Sequence, residues 1–436
     1  MYSRSVGTLA AVSRAVGRHA IPLTGAIVLM GVYMGGSLYV IPHMHHWHEW
    51  VYPFDLFNYF FLARYISIGN YQQLYGQFLG QTALTTTPGA VVALVPVWVV
   101  SHAAGIWVNL SARPQRYPTV WLILGPYQVL LSAPVLFIAD AVAVHIGASR
   151  ARRLLICAGE VYVLCNVLTW GHPEDAVAVA FLLYSCLAAS DRQWPKSAWL
   201  FGAAVAFQPF VLLALAPVFF PAGLRRIPGL LARAAAPAAA LLVLPLAMNW
   251  SVTEQSLVLQ PAFRLGGRVT PWIHLAPSLA RFGPTAEYLV AGGPVRLLGI
   301  AGSLVIGLWF SRAQRTLGLL IVVVALTLTF RCVFESVIAP YYVFPTIAFA
   351  LVSLSVATWP RSVAAALIAV IVNWVSSFDR DSTWVWWLIV AGLAALVAVC
   401  WSQGISRERE RQSWADNNGC ALAGDARVIA TSQQRR

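Results

Sequence analysis

The sequence AWLFGAAVAFQPFVLLALAPVFFPAGLRR, residues 198–226, combines two features that decide the fold. Its length and apolar character suit a segment that crosses a membrane, for which about 20 residues suffice. Gln208-Pro209 interrupts it near the middle, where proline removes a backbone donor and clashes with the preceding helical turn. The sequence therefore predicts a broken segment, which we expect to return to the side from which it entered.

The rest of the chain shares this apolar character. Of its 436 residues, 59% are hydrophobic and only 10% are charged, and the mean hydropathy is +0.70. A soluble domain carries about a quarter of charged residues, so we predict an all-α, polytopic transmembrane helical bundle. The net charge of +13 indicates basic loops that set topology, and we predict no nucleic-acid partner.

Twelve apolar runs are candidate spans: 21–41, 86–108, 118–147, 153–170, 176–190, 198–221, 230–252, 292–311, 317–333, 341–358, 363–377 and 384–402. We expect 21–41 to be a retained first span and not a cleaved signal. Residues 1–402 then form one membrane domain, followed by a disordered cytoplasmic tail over 403–436. The six cysteines form no CxxC pair, which predicts buried thiols and no disulfide framework.

The distribution of arginine and lysine predicts the orientation. Arg4, Arg14 and Arg18 place the N-terminus in the cytoplasm. The other basic loops are also cytoplasmic if two of the apolar runs do not cross the membrane, one within 86–147 and the other at 198–221. About ten net crossings result, with both termini cytoplasmic in a plasma-membrane protein. The predicted outside loops, which carry most acidic residues, are 42–85, 171–175, 253–291, 334–340 and 378–383.

The first predicted outside loop begins with HMHHWHEWVYPFD, residues 43–55. Its histidines, His43, His45, His46 and His48, are typical of a polar collar at the membrane interface, and a substrate contact and a metal site stay open. The following segment, 52–76, has the spacing of an interfacial helix on the outer leaflet. Asp55 at its start is a helix N-cap, a general base at the membrane–water boundary, or both.

The second predicted outside loop is TWGHPEDA, residues 169–176. Pro173, Glu174 and Asp175 suit the first turn of a helix, whose dipole favours carboxylates. His172, Glu174 and Asp175 at the mouth of two spans also suit a ligand or metal–phosphate site. Both interpretations remain open.

Two later segments carry arginines that are candidates for substrate binding. FRLGGRVTPWIH, residues 263–274, is either a solvated turn or a phosphate contact through Arg264 and Arg268, with His274 following. Arg331 and Glu335 are spaced as an i, i+4 pair, but charges within spans are also functional candidates. We predict no cofactor; a divalent metal is possible, although no motif supports one.

Three segments resemble the GT-C superfamily of membrane glycosyltransferases, and more narrowly its actinobacterial family 87. They are DLFNYFFLARYISIGNYQQLYG (55–76), TTTPGAVVALVPVW (85–98) and the quoted 198–226 segment. Two departures stand out. Gln208-Pro209 replaces the family's Lys-Pro, and ESVIAPYY (335–342), which contains Tyr341, replaces a histidine-bearing external segment.

The resemblance implies an enzyme that moves mannose or arabinofuranose from a polyprenyl-phosphate donor to a lipid or glycan acceptor of the cell envelope. The transfer takes place on the outer face with inversion at the anomeric carbon. It implies Asp55 as the base that deprotonates the acceptor hydroxyl. Arg264, Arg268 or Arg331 would stabilise the departing phosphate. His172, Glu174, Asp175, His274, Glu335 and Tyr341 complete the expected substrate contacts.

Two functions of other classes remain as alternatives. A secondary transporter or lipid flippase typically shows inverted repeats and broken helices near the membrane midplane. This chain has broken segments without paired halves, and its polar groups gather towards one face. A catalytically inactive membrane subunit is the second alternative, because Gln208 stands where the family has lysine.

Overall fold

The structure is a computed structural model. It describes residues 19–43, 54–75, 77–78, 81–82, 84, 86–106, 118–260, 262–263, 270–277, 289–290, 292–312, 316–377 and 383–402. The histidines from His45 to His48, Arg264, Arg268 and the tail 403–436 lie outside these residues, and so do the predictions made for them. His43 ends the first helix, and its side chain is not among those described.

Helices account for most of the described chain, which confirms the all-α prediction. They are α1 Ala20–His43, α2 Phe54–Ser67, α3 Gly89–Ala103, α4 Pro118–Ser132, α5 Pro134–Ile146, α6 Arg150–Trp170, α7 Pro173–Ser190, α8 Trp194–Phe207, α9 Leu215–Phe219, α10 Ile227–Met248, α11 Trp250–Leu259, α12 Arg296–Phe310, α13 Leu317–Phe334, α14 Phe344–Ser353, α15 Trp359–Ser376 and α16 Trp384–Ser402.

Short elements connect these helices. The 3₁₀ turns are Tyr71–Gln73, Pro209–Ala214, Phe220–Ala222, Leu224–Arg226, Pro271–Leu275, Pro340–Val343 and Leu354–Val356. Within the described residues, the β structure consists of two antiparallel pairs of two-residue strands. Gln77–Phe78 (β1) pairs with Gln81–Thr82 (β2), and Ala262–Phe263 (β3) pairs with Leu289–Val290 (β4).

Seven helical segments among the described residues are long and apolar enough to cross a membrane. They are Leu122–Ile146, Arg150–Trp170, Pro173–Ser190, Leu224–Met248, Leu317–Phe334, Trp359–Ser376 and Trp384–Ser402. Five apolar segments are shorter: Ala20–Gly36, Gly89–Ala103, Pro209–Ala222, Arg296–Phe310 and Pro340–Ser353. The chain is therefore a multi-pass membrane protein, and several of the twelve predicted spans are shorter than expected.

The predicted break at Gln208-Pro209 is confirmed. α8 ends at Phe207, Gln208 is extended with φ −149° and ψ 124°, and a 3₁₀ turn begins at Pro209. α8 starts beside the far end of α7, where the Ser185 and Ser197 hydroxyls lie 3.0 Å apart. It ends beside the start of α7, where Gln208 hydrogen-bonds to Glu174.

The chain then turns back from the break. Ser303 in the middle of α12 donates to the Leu213 carbonyl, and Gly307 near the end of α12 packs against Ala216. α12 begins beside Gln208, at the cavity described below. Residues 194–222 therefore approach that cavity and leave it again on the same side, as the proline and the apolar length predict.

The predicted helix after the first span is α2. It buries Leu56, Phe57 and Phe60 and leaves Arg64 exposed. α2 packs along α3, where the rings of Phe60 and Trp98 lie 5.1 Å apart. α2 begins at Phe54, so Asp55 belongs to the first turn and does not precede it as an N-cap.

A close contact between α8 and α10 depends on a glycine. An added Cβ at Gly202 would lie 2.3 Å from the Ala234 carbonyl oxygen, so the two backbones touch where a side chain is absent. Small residues permit such close approach of helices in membranes. The contact fixes α8, and through it the position of Gln208.

We therefore expect Gly202→Ala to lower the stability of the protein by about 1–3 kcal/mol, because α8 and α10 must separate. Gly318→Ala in α13 is the matched control, since nothing lies within 4 Å of its added Cβ. Thermal unfolding in detergent micelles measures both variants. Equal effects of the two substitutions would contradict the role of the contact.

Candidate active site

The turn between α6 and α7 brings three of the predicted site residues together. Gly171 ends α6 in the left-handed conformation, with φ +76°, and Pro173 starts α7. His172 lies between them, and Glu174 and Asp175 occupy the first turn of α7. All three side chains are buried, Asp175 completely. The first interpretation of this loop is confirmed, since the carboxylates start a helix. The ligand site stays a prediction, and the same side chains meet partners from distant parts of the chain.

His172 joins Asp55 to Glu174. Its Nε2 lies 2.9 Å from Oδ2 of Asp55, and its Nδ1 lies 2.7 Å from Oε1 of Glu174. Asp55 is the exposed end of this chain of contacts, with 42% of its side chain accessible, whereas Glu174 is buried. Both ring nitrogens of His172 are therefore engaged by protein carboxylates. We expected His172 to contact substrate, and its nitrogens are not free to do so.

The two carboxylates determine the charge of His172. Burial by itself lowers the pKa of this imidazole, but the charge of Glu174 and the hydrogen bonds to Asp55 and Glu174 outweigh burial. The pKa rises from 6.5 to about 10. The ring is thus an imidazolium at neutral pH, and it donates a hydrogen bond to each carboxylate.

Aromatic rings fix the imidazolium in place. Tyr341 stacks on His172 with ring centroids 3.6 Å apart, and Tyr59 meets it edge-on at 6.1 Å. Stacking of a cation on an aromatic face is attractive. Tyr341 was predicted as a substrate contact, and the structure gives it this additional role in holding His172.

Arg331 is the cation on the other side of the turn. Its Nη1 donates to Oδ2 of Asp175 at 3.3 Å, and the guanidinium carbon lies over the rings of Phe210 and Tyr342, 4.5 and 3.9 Å from their centroids. Within the described chain, its other nitrogens have no hydrogen-bond partner. Because Arg331 lines the cavity, these donors are available to an anionic ligand.

Arg331 and Glu335 do not form the i, i+4 pair that their spacing suggested. Glu335 instead accepts from Nε and Nη2 of Arg296, both 2.8 Å from the same oxygen, Oε2. Nη1 of Arg296 donates to the Gln260 side chain at 3.0 Å. Arg296, the first residue of α12, thereby ties the end of α13 to the end of α11.

Gln208 completes the environment of Glu174. Its side-chain nitrogen donates to Glu174 Oε1 at 3.3 Å, and its oxygen accepts from the Thr86 hydroxyl at 3.2 Å. Glu174 thus receives hydrogen bonds from the His172 ring and from the Gln208 amide. Because the side chain at position 208 is a neutral amide, His172 is the cation that faces the Glu174 carboxylate.

These groups surround a cavity of about 520 Å³. Its polar wall includes His172, Gln208, Arg331, Tyr341, Arg296 and Glu335, and its apolar wall includes Leu212, Val258, Leu297 and Ile300. Asp55 does not line the cavity itself but reaches its edge through His172. A site of this kind suits an amphiphilic ligand with an anionic head.

Not all predicted site residues meet here. His274 is exposed and does not line the cavity. Sequence reasoning missed Arg296, Tyr59 and Tyr342, because only the packing of α12, α2 and the Pro340–Val343 turn brings them to the cavity. In the described part of the chain, no group of three or more His, Cys, Asp or Glu side chains could hold a metal ion.

No protein-family model matches this chain, and no curated protein matches it.

The raised pKa of His172 predicts how stability depends on pH. The stabilisation by the imidazolium is complete below the ordinary value of 6.5 and is lost as the pH rises towards the folded-state value of about 10. Wild type should therefore lose thermal stability between pH 6.5 and 10 more steeply than His172→Gln. A wild-type unfolding temperature that follows that of the variant across this range would contradict the ionised state of His172.

Proposed function

We propose that the protein is an integral membrane glycosyltransferase that moves a sugar from a polyprenyl-phosphate donor to an acceptor hydroxyl, with inversion. The proposal rests on two groups found together. One is an accessible carboxylate, Asp55, and the other is the Arg331 guanidinium, which lines the adjacent cavity and has hydrogen-bond donors without a partner in the described chain. The first is suited to remove a proton, and the second to accept the charge of a departing phosphate.

Asp55 is the group best suited to act as the base. Of the carboxylates around the turn it is the most exposed, and His172 occupies only one of its oxygens. As the acceptor oxygen attacks the anomeric carbon, the proton of the acceptor hydroxyl passes to Asp55. The bond between the anomeric carbon and the phosphate oxygen breaks. The electron pair of that bond leaves with the phosphate. The hydrogen bond from the adjacent imidazolium keeps Asp55 oriented.

Arg331 is the candidate for the phosphate. Its side chain cannot rotate freely because the guanidinium packs on the rings of Phe210 and Tyr342 and donates a hydrogen bond to Asp175. Such a preorganised donor needs little rearrangement when negative charge develops on the leaving group. The apolar wall of the same cavity provides a surface for the prenyl chain.

The charge distribution supports a site on the extracytoplasmic face of the plasma membrane. The end of the bundle opposite the cavity carries Arg150 and Arg152 at the start of α6, Arg192 after α7, Lys196 at the start of α8, and Arg225 and Arg226 before α10. Basic residues favour the cytoplasmic side. Mannose or arabinofuranose as the sugar, and a cell-envelope lipid or glycan as the acceptor, rest on the family resemblance alone.

The contacts of Gln208 favour an enzyme over an inactive subunit. Gln208 is not a vacant remnant of a lysine, since it bridges Thr86 and Glu174 in the wall of the cavity. The charge that lysine would bring near Glu174 is supplied by the His172 imidazolium. Glu174 Oε1 thus keeps two hydrogen-bond donors, His172 and Gln208, next to the candidate base.

The proposal is tested by transfer of radiolabelled sugar from decaprenyl-phosphate mannose and decaprenyl-phosphate arabinose to membrane acceptors. Asp55→Asn should reduce transfer by about 10²–10⁴-fold, the usual contribution of a general base. Asp191→Asn is the matched control, an exposed acid at the far end of α7 that lies near His145. Its activity should equal that of wild type.

The other outcomes of that assay decide between the alternatives. Transfer that survives Asp55→Asn keeps the enzyme and removes Asp55 as its base. Absence of transfer by wild type with both donors contradicts the proposal. Translocation of a lipid-linked sugar across proteoliposomes by that same preparation would then assign the protein to the transporters.

Arg331→Lys tests the anion site while retaining the positive charge beside Asp175. Lysine lacks the planar fork and the flat face that Arg331 presents to Phe210 and Tyr342. We expect kcat/KM for the lipid-phosphate donor to fall by about 10–100-fold, with thermal stability close to wild type. Unchanged steady-state kinetics in a folded variant would exclude Arg331 from phosphate binding.

A further inference from the structure

The Arg296–Glu335 pair differs from an ordinary structural ion pair in its geometry. Two guanidinium nitrogens, Nε and Nη2, converge on one carboxylate oxygen, Oε2. The second oxygen of Glu335 has no partner within the described chain. Both residues line the cavity and are partly exposed, 23% and 18% of their side chains. A phosphate oxygen could accept the same two hydrogen bonds.

The backbone at Glu335 is fixed, whereas its side chain depends on Arg296 alone. Glu335 lies just beyond α13, and its carbonyl accepts from the Thr270 hydroxyl at 2.7 Å. Indole nitrogens of Trp272 and Trp386 donate to the Val333 and Cys332 carbonyls. The carboxylate can therefore leave Arg296 by rotation of its side chain, without unwinding the helix.

The surroundings of Arg296 suit the head of a lipid. An added Cβ at Gly292 would lie 1.9 Å from the guanidinium, so Arg296 rests directly on the backbone of Gly292. Leu297 follows Arg296 on α12 and is 66% exposed, and Val258 on α11 is 69% exposed. Both line the cavity, so an apolar opening adjoins the cation.

The geometry points to an exchange of anions on Arg296: Glu335 occupies the place on the guanidinium that a lipid phosphate takes, and Glu335 is displaced when the phosphate binds. This inference rests on the proposed function, because it concerns the same donor site. With Glu335 bound, the edge of Arg296 formed by Nε and Nη2 is occupied, and Gln260 takes a hydrogen bond from Nη1. Arg331 then binds phosphate first, and release of Glu335 admits Arg296 as the second contact.

Because Glu335 competes for Arg296, it lowers the affinity for a lipid phosphate and restricts binding at Arg296 to negatively charged head groups. An uncharged lipid alcohol cannot displace a carboxylate from a guanidinium and has no charge for Arg296 to bind, so it gains nothing from this pair. A lipid phosphate replaces one charge-assisted pair with another, and the released Glu335 carboxylate is then solvated by water.

The test measures binding of farnesyl phosphate, farnesol and inorganic phosphate to the purified full-length protein by isothermal titration calorimetry in detergent micelles. Glu335→Gln keeps a hydrogen-bond acceptor for Arg296 but removes the competing charge. It should bind farnesyl phosphate about tenfold more tightly than wild type, and Arg296→Gln about tenfold more weakly. Farnesol binding should be equal in all three proteins.

Asp140→Asn is the matched control, since Asp140 accepts two 2.7 Å hydrogen bonds from Arg153 in a pair that does not line the cavity. Its affinity for farnesyl phosphate should equal that of wild type.

The outcomes separate the possible ligands. A gain in Glu335→Gln with farnesyl phosphate alone assigns the site to a lipid headgroup, and a gain that extends to inorganic phosphate assigns it to phosphate in general. No gain with either, or weaker binding, overturns the exchange. If Glu335→Gln does not fold, undiminished farnesyl phosphate binding by Arg296→Gln overturns it equally. Binding is measured without sugar transfer, so failure of the Asp55 experiment leaves this result unaffected.

Discussion

The structure depends on the ion pair between Asp175 and Arg331. Both groups are buried in an apolar bundle, where a single charge is costly unless a partner compensates it. The pair joins the start of α7 to the last turn of α13, and with Phe210 and Tyr342 it fixes the guanidinium against the cavity. Once Arg331 and Asp175 are held, the preceding residues of the turn, His172 and Glu174, are held as well.

A second constraint extends this arrangement towards the surface. Charges alternate from Arg331 through Asp175, and from Glu174 through His172 to Asp55, so that each buried group faces an opposite one. Only the last carboxylate is substantially exposed. The network therefore ends in a reactive group at the edge of the cavity, and the hydrogen bonds that hold its interior also orient that group.

Much of the fold could be predicted because it rests on local signals. Apolar length predicts the helices, Gln208-Pro209 predicts the break, and the basic loops identify one end of the bundle. The site was predicted in part: TWGHPEDA and Asp55 were recognised, since charged residues beside spans are conspicuous. Their pairing could not be read from the sequence, because Asp55 and His172 are 117 residues apart. Arg296 was missed for the same reason, and the spacing of Arg331 and Glu335 suggested a pair that other partners prevent.

The distance in sequence between Asp175 and Arg331 also bears on how the chain is made. The two are separated by 156 residues, so α7 enters the bilayer long before its counter-ion exists. Gln208 differs, because its side-chain partners, Thr86 and Glu174, precede it. During synthesis the hairpin of residues 194–222 thus meets a prepared site, whereas Asp175 must stay in contact with water until α13 arrives. A chain truncated before Arg331 leaves Asp175 without its counter-ion, so we expect such a truncated protein to be destabilised.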